Sequence, residues 1–258
     1  MKIGCHAVMF AAKLATDTEE VIRQIGTTGF QGIEAGSRFI AIDNRQTLMT
    51  ALQENHLELA AIHYGTMEWR ANPEAAIKGA VEEAAFMSKN SSRNINMSFM
   101  PQEGDDFKAL AKIFNEAALA CKEQGVSFNY HNHAGEFAND GAFYYTLLEY
   151  APDLNFAFDL GWVYRGGFDP LKVLREAEGR CHYVHLRDPD DGPNSIEFDG
   201  RSFYQFPELG YGKTDLKGQL AFLKEYLPDD GWCVVEYEMG EPDVQRYVRA
   251  KQVIDSLM

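Results

Sequence analysis

The chain is poor in cysteine. Cys5, Cys121, Cys181 and Cys233 are the only four in 258 residues, and no two form a CxxC pair. That spacing argues against a structural zinc site and against a disulfide framework, and leaves buried thiols in a reducing compartment. Positive charge is also scarce: 24 Lys and Arg stand against 39 Asp and Glu, a formal net charge of −15. Phosphate backbones are bound by basic surface, so neither a nucleic-acid partner nor an anionic membrane surface is expected. There is no run of about 18 apolar residues, so no membrane span is expected either, and a cytoplasmic protein is. The opening stretch MKIGCHAVMFAAKLA places Lys2 before apolar residues in the manner of a short leader. His6 interrupts that stretch, and the segment reads better as a first strand. Also absent are a glycine-rich dinucleotide turn after that strand, a P-loop, low-complexity segments and close sequence repeats.

What is present is alternation. Short β-prone runs occupy 2–8, 30–35, 57–63, 93–99, 126–133, 155–160, 181–187 and 232–238. Helix-like runs follow them at 17–28, 43–55, 73–90, 105–124, 141–150, 169–179, 214–227 and 241–257. Thr16-Asp17-Thr18-Glu19 and Asp169-Pro170 read as helix starts, with Pro170 at the first helical position. Gly29 and Gly125 stand where helices should end. Repeated βα units in one chain of this length predict an α/β fold, a single (β/α)8 TIM-barrel domain over 1–258. A doubly wound open sheet is the alternative, and the missing dinucleotide turn counts against it.

A barrel strand alternates between lumen and helix layer. In the fifth run, Ser127, Asn129, His131 and His133 share one parity, and Val126, Phe128 and Tyr130 the other. The polar parity of the sixth run is Asn155 and Asp159, of the seventh His185 and Arg187, and of the eighth Glu236 and Glu238. The first run carries His6, the second and third end with inward Glu34 and His63, and the fourth offers Asn94, Asn96 and Ser98. Ionisable groups thus recur near strand C-terminal ends on the lumen parity, where barrel active sites are built. Singly, each has an ordinary structural reading. Together, carboxylates and imidazoles in one mouth are costly without a cation. Mixed imidazole and carboxylate ligation suits Mn, Co, Fe or Zn better than Ca or Mg.

Five segments carry a resemblance: YHNHAGEF (130–137), DLGWVYRGGFDP (159–170), HLRD (185–188), ELGYGKTD (208–215) and VVEYE (234–238). In this order the chain resembles the xylose isomerase-like TIM-barrel superfamily, and most of all its sugar phosphate isomerase/epimerase subgroup. That superfamily holds sugar isomerases, ketose epimerases, hydroxypyruvate isomerase, inosose dehydratase and a DNA-repair endonuclease branch. The resemblance implies one divalent metal, held by acidic and imidazole groups ending the last four strands. Asp159, His185 and Glu236 match three of those ligands. The fourth, a glutamate ending the fifth strand, is replaced by the YHNH run. His131 is the expected substitute, with His133 or Glu136 as acid/base group; the competing assignment makes Glu136 the ligand. Without the fifth-strand glutamate, two-base epimerisation lacks one of its bases.

The implied chemistry is proton transfer next to a carbonyl, through an enediolate stabilised by the ion. Glu236, His133 and Glu136 are the candidate bases. His6, Glu34, His63, Trp69, Trp162 and Arg187 are candidates to bind substrate, Trp69 with equal claim as a packed loop residue. The expected activity is a metal-dependent isomerase or epimerase of a sugar or keto sugar. The alternative is a lyase of the inosose dehydratase or 3-keto-sugar type at the same site. A repair endonuclease would need further ligand motifs and basic loops, which the chain lacks. The expected partner is a small carbohydrate, and a homo-oligomer is the assembly to test for. GYGK (210–213) could offer backbone N–H groups and Lys213 to a phosphate, but reads better as a plain turn.

Overall fold

A computed structural model describes residues 1–40, 42–177, 179–198 and 201–258. Ten strands occur among them: β1 (Lys2–His6), β2 (Gly32–Gly36), β3 (Glu58–Tyr64), β4 (Asn94–Ser98), β5 (Ser127–His131), β6 (Asn155–Asp159), β7 (Cys181–Leu186), β8 (Ser195–Phe198), β9 (Arg201–Tyr204) and β10 (Trp232–Val235). Eight of them close into a barrel in the order β1-β10-β7-β6-β5-β4-β3-β2, while β8 and β9 pair antiparallel as a separate hairpin. The registers of β1 with β2 and β10, and of β3 to β6 in sequence, are parallel. The fold is a TIM barrel, as the alternation predicts.

Tertiary contacts divide the chain into two halves, Met1–Glu58 with His185–Met258, and Leu59–Val184. In the first half, Trp232 at the start of β10 packs over Gly4 and Gly32. Trp232 is 1% exposed. A Cβ on Gly32 would sit 2.6 Å from its ring and 2.6 Å from the Glu58 carbonyl, and a Cβ on Gly4 would meet the Gly32 carbonyl at 2.8 Å. Both glycines are therefore required by close approach rather than by backbone angle. Lys2 lies 5.3 Å above the Trp232 ring and pairs with Glu58 at 2.6 Å.

In the second half, the helix Pro73–Met87 begins on Asn72, whose side chain accepts from Ala75 N–H, with Pro73 at its start. The helix Phe107–Lys122 is capped in the same way by Asp106. The faces turned to the sheet are apolar: Phe114, Ala117, Ala118 and Cys121 are buried. Phe128 and Tyr130 take the helix-facing parity of β5. Tyr130 packs on Phe114 and Phe143, and Phe128 on Trp69. The lumen parity carries a hydrogen-bonded amide ladder: Asn129 Nδ2 donates to Asn96 Oδ1 at 2.9 Å, Ser127 Oγ to Asn129 Oδ1 at 2.7 Å, and Asn155 Nδ2 to Ser127 Oγ at 2.9 Å. Such a buried network survives because its members satisfy one another.

Expected boundaries agree within a few residues, with instructive exceptions. β5 ends at His131, two residues short of the predicted end, and β10 stops at Val235, three short. Gly29 and Gly125 both have positive φ, +83 and +71 degrees, as helix-ending glycines do. Asp169 accepts from Leu171 and Lys172 N–H, and Pro170 opens its helix as expected. Asp17 precedes Thr18–Gly26 without a side-chain cap bond. The four cysteines are buried free thiols; burial pushes Cys121, Cys181 and Cys233 up to about 12.

Candidate active site

In the first half, ionisable side chains gather where β1, β2, β7 and β10 end. His6, Glu34, His185, Arg187 and Glu236 are each at most 3% exposed. His185 lies between two carboxylates, with Nε2 at 2.6 Å from Glu34 Oε2 and Nδ1 at 2.7 Å from Glu236 Oε2. Burial works against a charged ring, but Glu34 and Glu236 outweigh it and raise its pKa well above the ordinary histidine value. Glu236 is also buried, which opposes its charge. Arg187, then His185 and His6, nonetheless hold its carboxyl well below the usual range. Arg187 Nη2 meets Glu236 Oε2 at 2.8 Å and Glu238 Oε1 at 2.6 Å, with the guanidinium 4.6 Å from the Phe206 ring.

In the second half, His131 ends β5 and Asp159 ends β6. Asp159 opens the short helix Leu160–Arg165, its Oδ1 accepting from Trp162 N–H at 2.9 Å. A residue the motifs did not single out holds Asp159 in place. Asn132 Oδ1 accepts from Asp159 N–H at 3.0 Å, and Asn132 Nδ2 donates to the Asp159 carbonyl at 3.3 Å. This two-point amide clasp ties the residue after β5 to the end of β6. Asn132 sits between the two histidines of YHNH, the one cue the sequence offered.

His131, His133 and His63 lie close together. The His131 ring is 5.1 Å from His133 and 5.4 Å from His63, and His133 is 5.8 Å from the half-buried Trp162 ring. His63 Nε2 is 2.9 Å from Ser98 Oγ. Two expected residues lie elsewhere. Glu136 turns both oxygens to its own segment: Oε1 accepts from the Tyr130 hydroxyl at 2.9 Å and Oε2 from His133 N–H at 2.9 Å. Burial pushes its pKa up to about 7, against the lowering effect of those hydrogen bonds. Trp69 is 1% exposed and packs edge-on against Tyr64, Phe114 and Phe128, in the aromatic core.

The ELGYGKTD segment has a structural explanation. Buried Asp188 accepts from the N–H groups of Gly210, Gly212 and Thr214 and from the Thr214 hydroxyl. Lys213 pairs with Asp191 at 2.7 Å. The N–H groups that a phosphate would have used are turned to a carboxylate instead, so the segment is a turn.

His131 and Asp159 in the second half, and His185 and Glu236 in the first, are all buried and all carry ligand-capable atoms. The donor set fits a divalent cation. In the first half Glu34 and Glu236 are two buried carboxylates, against which Arg187 is one permanent cation. Buried charge of one sign requires compensation, and a divalent ion with mixed imidazole and carboxylate donors supplies it.

The xylose isomerase-like TIM barrel family matches residues 22–257. The chain belongs to that family. Inosose dehydratase of Clostridium tetani is 25% identical over 249 residues, covering 85% of this chain and 82% of its own. The probable 3-DHS dehydratase AsbF of Bacillus anthracis superposes with a TM-score of 0.78 at 13% identity, over 99% of both chains. A sugar phosphate isomerase/epimerase of Parabacteroides distasonis gives 0.76 at 16% identity, over 97% of this chain and 92% of that one. At these identities the two solved structures speak for the fold alone. No helix among the described residues is long and apolar enough to cross a membrane.

Proposed function

We propose that the protein is a metal-dependent dehydratase of a small polyhydroxylated ketone of the inosose type. His131, Asp159, His185 and Glu236 hold one divalent ion, and His133 is the acid/base group. When bound, the ion supplies Lewis acidity that acidifies a C–H next to a carbonyl. The observation that carries the reading is the position of Glu136. Its carboxylate is engaged by Tyr130 and the His133 backbone, so β5 and its turn offer imidazoles to the site and no second carboxylate base.

A single imidazole suits elimination. His133 is half-buried beside His131. Its ring takes the proton from the carbon next to the carbonyl and returns it to the hydroxyl leaving the neighbouring carbon. One C–H and one C–O bond break, a C=C bond forms, and water leaves. Glu236 acts as ligand; the oxygen near His185 is also held by Arg187. His6, His63, Trp162 and Arg187 are the residues proposed to contact substrate hydroxyls. The similarity to inosose dehydratase of Clostridium tetani supports the same reaction class.

The isomerase or epimerase reading keeps the same site but needs the proton delivered to carbon. The two separate in D2O. Given 2-keto-myo-inositol, the dehydratase forms an unsaturated ketone seen by ultraviolet absorbance and NMR. Given ketohexoses, an isomerase exchanges solvent deuterium without losing water. Turnover of ketohexoses with no dehydration of keto-inositol refutes the proposal.

A further inference from the structure

We propose that Glu34 is a positioning residue that fixes the tautomer of His185, so that His185 turns Nδ1, and not Nε2, to the ion. This rests on the metal reading above. His6 ends β1. Val8 N–H donates to His6 Nδ1 at 2.9 Å. The hydroxyl of buried Tyr247 donates to the His6 carbonyl, pinning the backbone there. A ring nitrogen that accepts a hydrogen bond carries its lone pair, so in the neutral ring the proton sits on Nε2.

His6 Nε2 faces Glu34 Oε1 at 3.4 Å, and the other oxygen, Oε2, is 2.6 Å from His185 Nε2. An ionised carboxylate can only accept, and an imidazole lone pair turned toward it would be repelled. Glu34 therefore calls for N–H on both sides, from His6 and from His185. The nitrogen left for the ion on His185 is Nδ1, on the side of Glu236 Oε2 at 2.7 Å. With Glu34 0% exposed, solvent does not take over the accepting role. A carboxylate that accepts from a ligating imidazole orients the ring and raises its basicity toward the metal.

The test uses Zn2+ and histidine labelled with 15N in the full chain. Long-range 1H–15N NMR of the wild type should show His6 as the Nε2–H tautomer without metal. With Zn2+ it should show His185 with Nε2–H and a coordinated Nδ1. Glu34→Gln offers one carbonyl oxygen where two acceptors are needed. It should weaken Zn2+ binding about 10–100-fold by chelator competition. His6→Ala should weaken it less, and the double variant should be no weaker than Glu34→Gln alone, since both act through one chain of bonds. If the wild type takes up no Zn2+, the metal reading fails and this proposal with it. If it binds Zn2+ but His185 carries Nδ1–H, or Glu34→Gln binds as tightly as wild type, this proposal alone is overturned. The wild-type spectrum decides even if a variant does not fold.

Discussion

Glu136→Gln should flatten the pH dependence of stability. Three partners surround the Glu136 carboxyl: the Tyr130 hydroxyl, His133 N–H and, through Tyr130, the Phe99 carbonyl at 3.0 Å from that hydroxyl. Tyr130 has one proton to give. If Glu136 is ionised, Tyr130 must donate to it and leave the Phe99 carbonyl without that donor. If Glu136 is neutral, its own proton goes to Tyr130, Tyr130 donates to Phe99, and every group is satisfied. Folding therefore favours the neutral acid, and burial pushes the pKa from the ordinary 4.5 to about 7. An acid with a raised folded pKa contributes stability below its unfolded pKa, and that contribution is lost as pH rises through the folded value. At about 1.4 kcal/mol for each tenfold step, the loss between pH 4.5 and pH 7 is about 3 kcal/mol. Glutamine reproduces the neutral pattern, with its amide donating to Tyr130 and its carbonyl accepting from His133. Urea unfolding of metal-free protein at pH 5 and pH 8 should show the wild type losing about 3 kcal/mol that the variant keeps. Parallel profiles for the two proteins would refute the reasoning.

Other outcomes follow from single contacts. Gly32→Ala drives a Cβ to 2.6 Å from both Trp232 and the Glu58 carbonyl, so it should lower the melting temperature clearly, as thermal unfolding would register. Asp188→Ala leaves three backbone N–H groups and the Thr214 hydroxyl without their acceptor. It should cost about 2–4 kcal/mol and speed proteolysis around residues 208–215, read by mass spectrometry of the fragments. His133→Gln should keep its metal content while turnover of keto-inositol falls at least about 100-fold, the usual worth of a general acid/base.

The barrel was legible because period-two alternation and strand-helix rhythm are local properties. The lumen parity of Asn129, His131, His185 and Glu236 follows from residue spacing alone. Harder to read were roles decided across the chain. Glu136 shares the HNHAGEF run with two site histidines, yet Tyr130, which faces the helices, draws its carboxylate away. Asn132 and Asp188 act on backbone groups far along the sequence, and spacing carries no mark of such partners. Glu34 read as a substrate contact because nothing near it in sequence points to His185. The hairpin of Ser195–Phe198 and Arg201–Tyr204 lies between the seventh and eighth barrel runs, where the alternation predicts no strand. Trp69, in the short helix Glu68–Ala71, has nothing near it in sequence that tells a core tryptophan from a substrate contact.

His131, Asp159, His185 and Glu236 are proposed to hold one divalent ion together. The most direct measurement is elemental analysis with equilibrium binding, on protein stripped by chelator and reloaded with Mn, Co, Fe, Zn or Mg in turn. About one tightly held ion per chain is expected in the wild type. That ion should be lost in both His131→Ala and Asp159→Asn, since the two residues belong to the proposed ligand set. A wild type that retains no divalent ion, or a His131→Ala protein that holds it with wild-type affinity, would contradict the account.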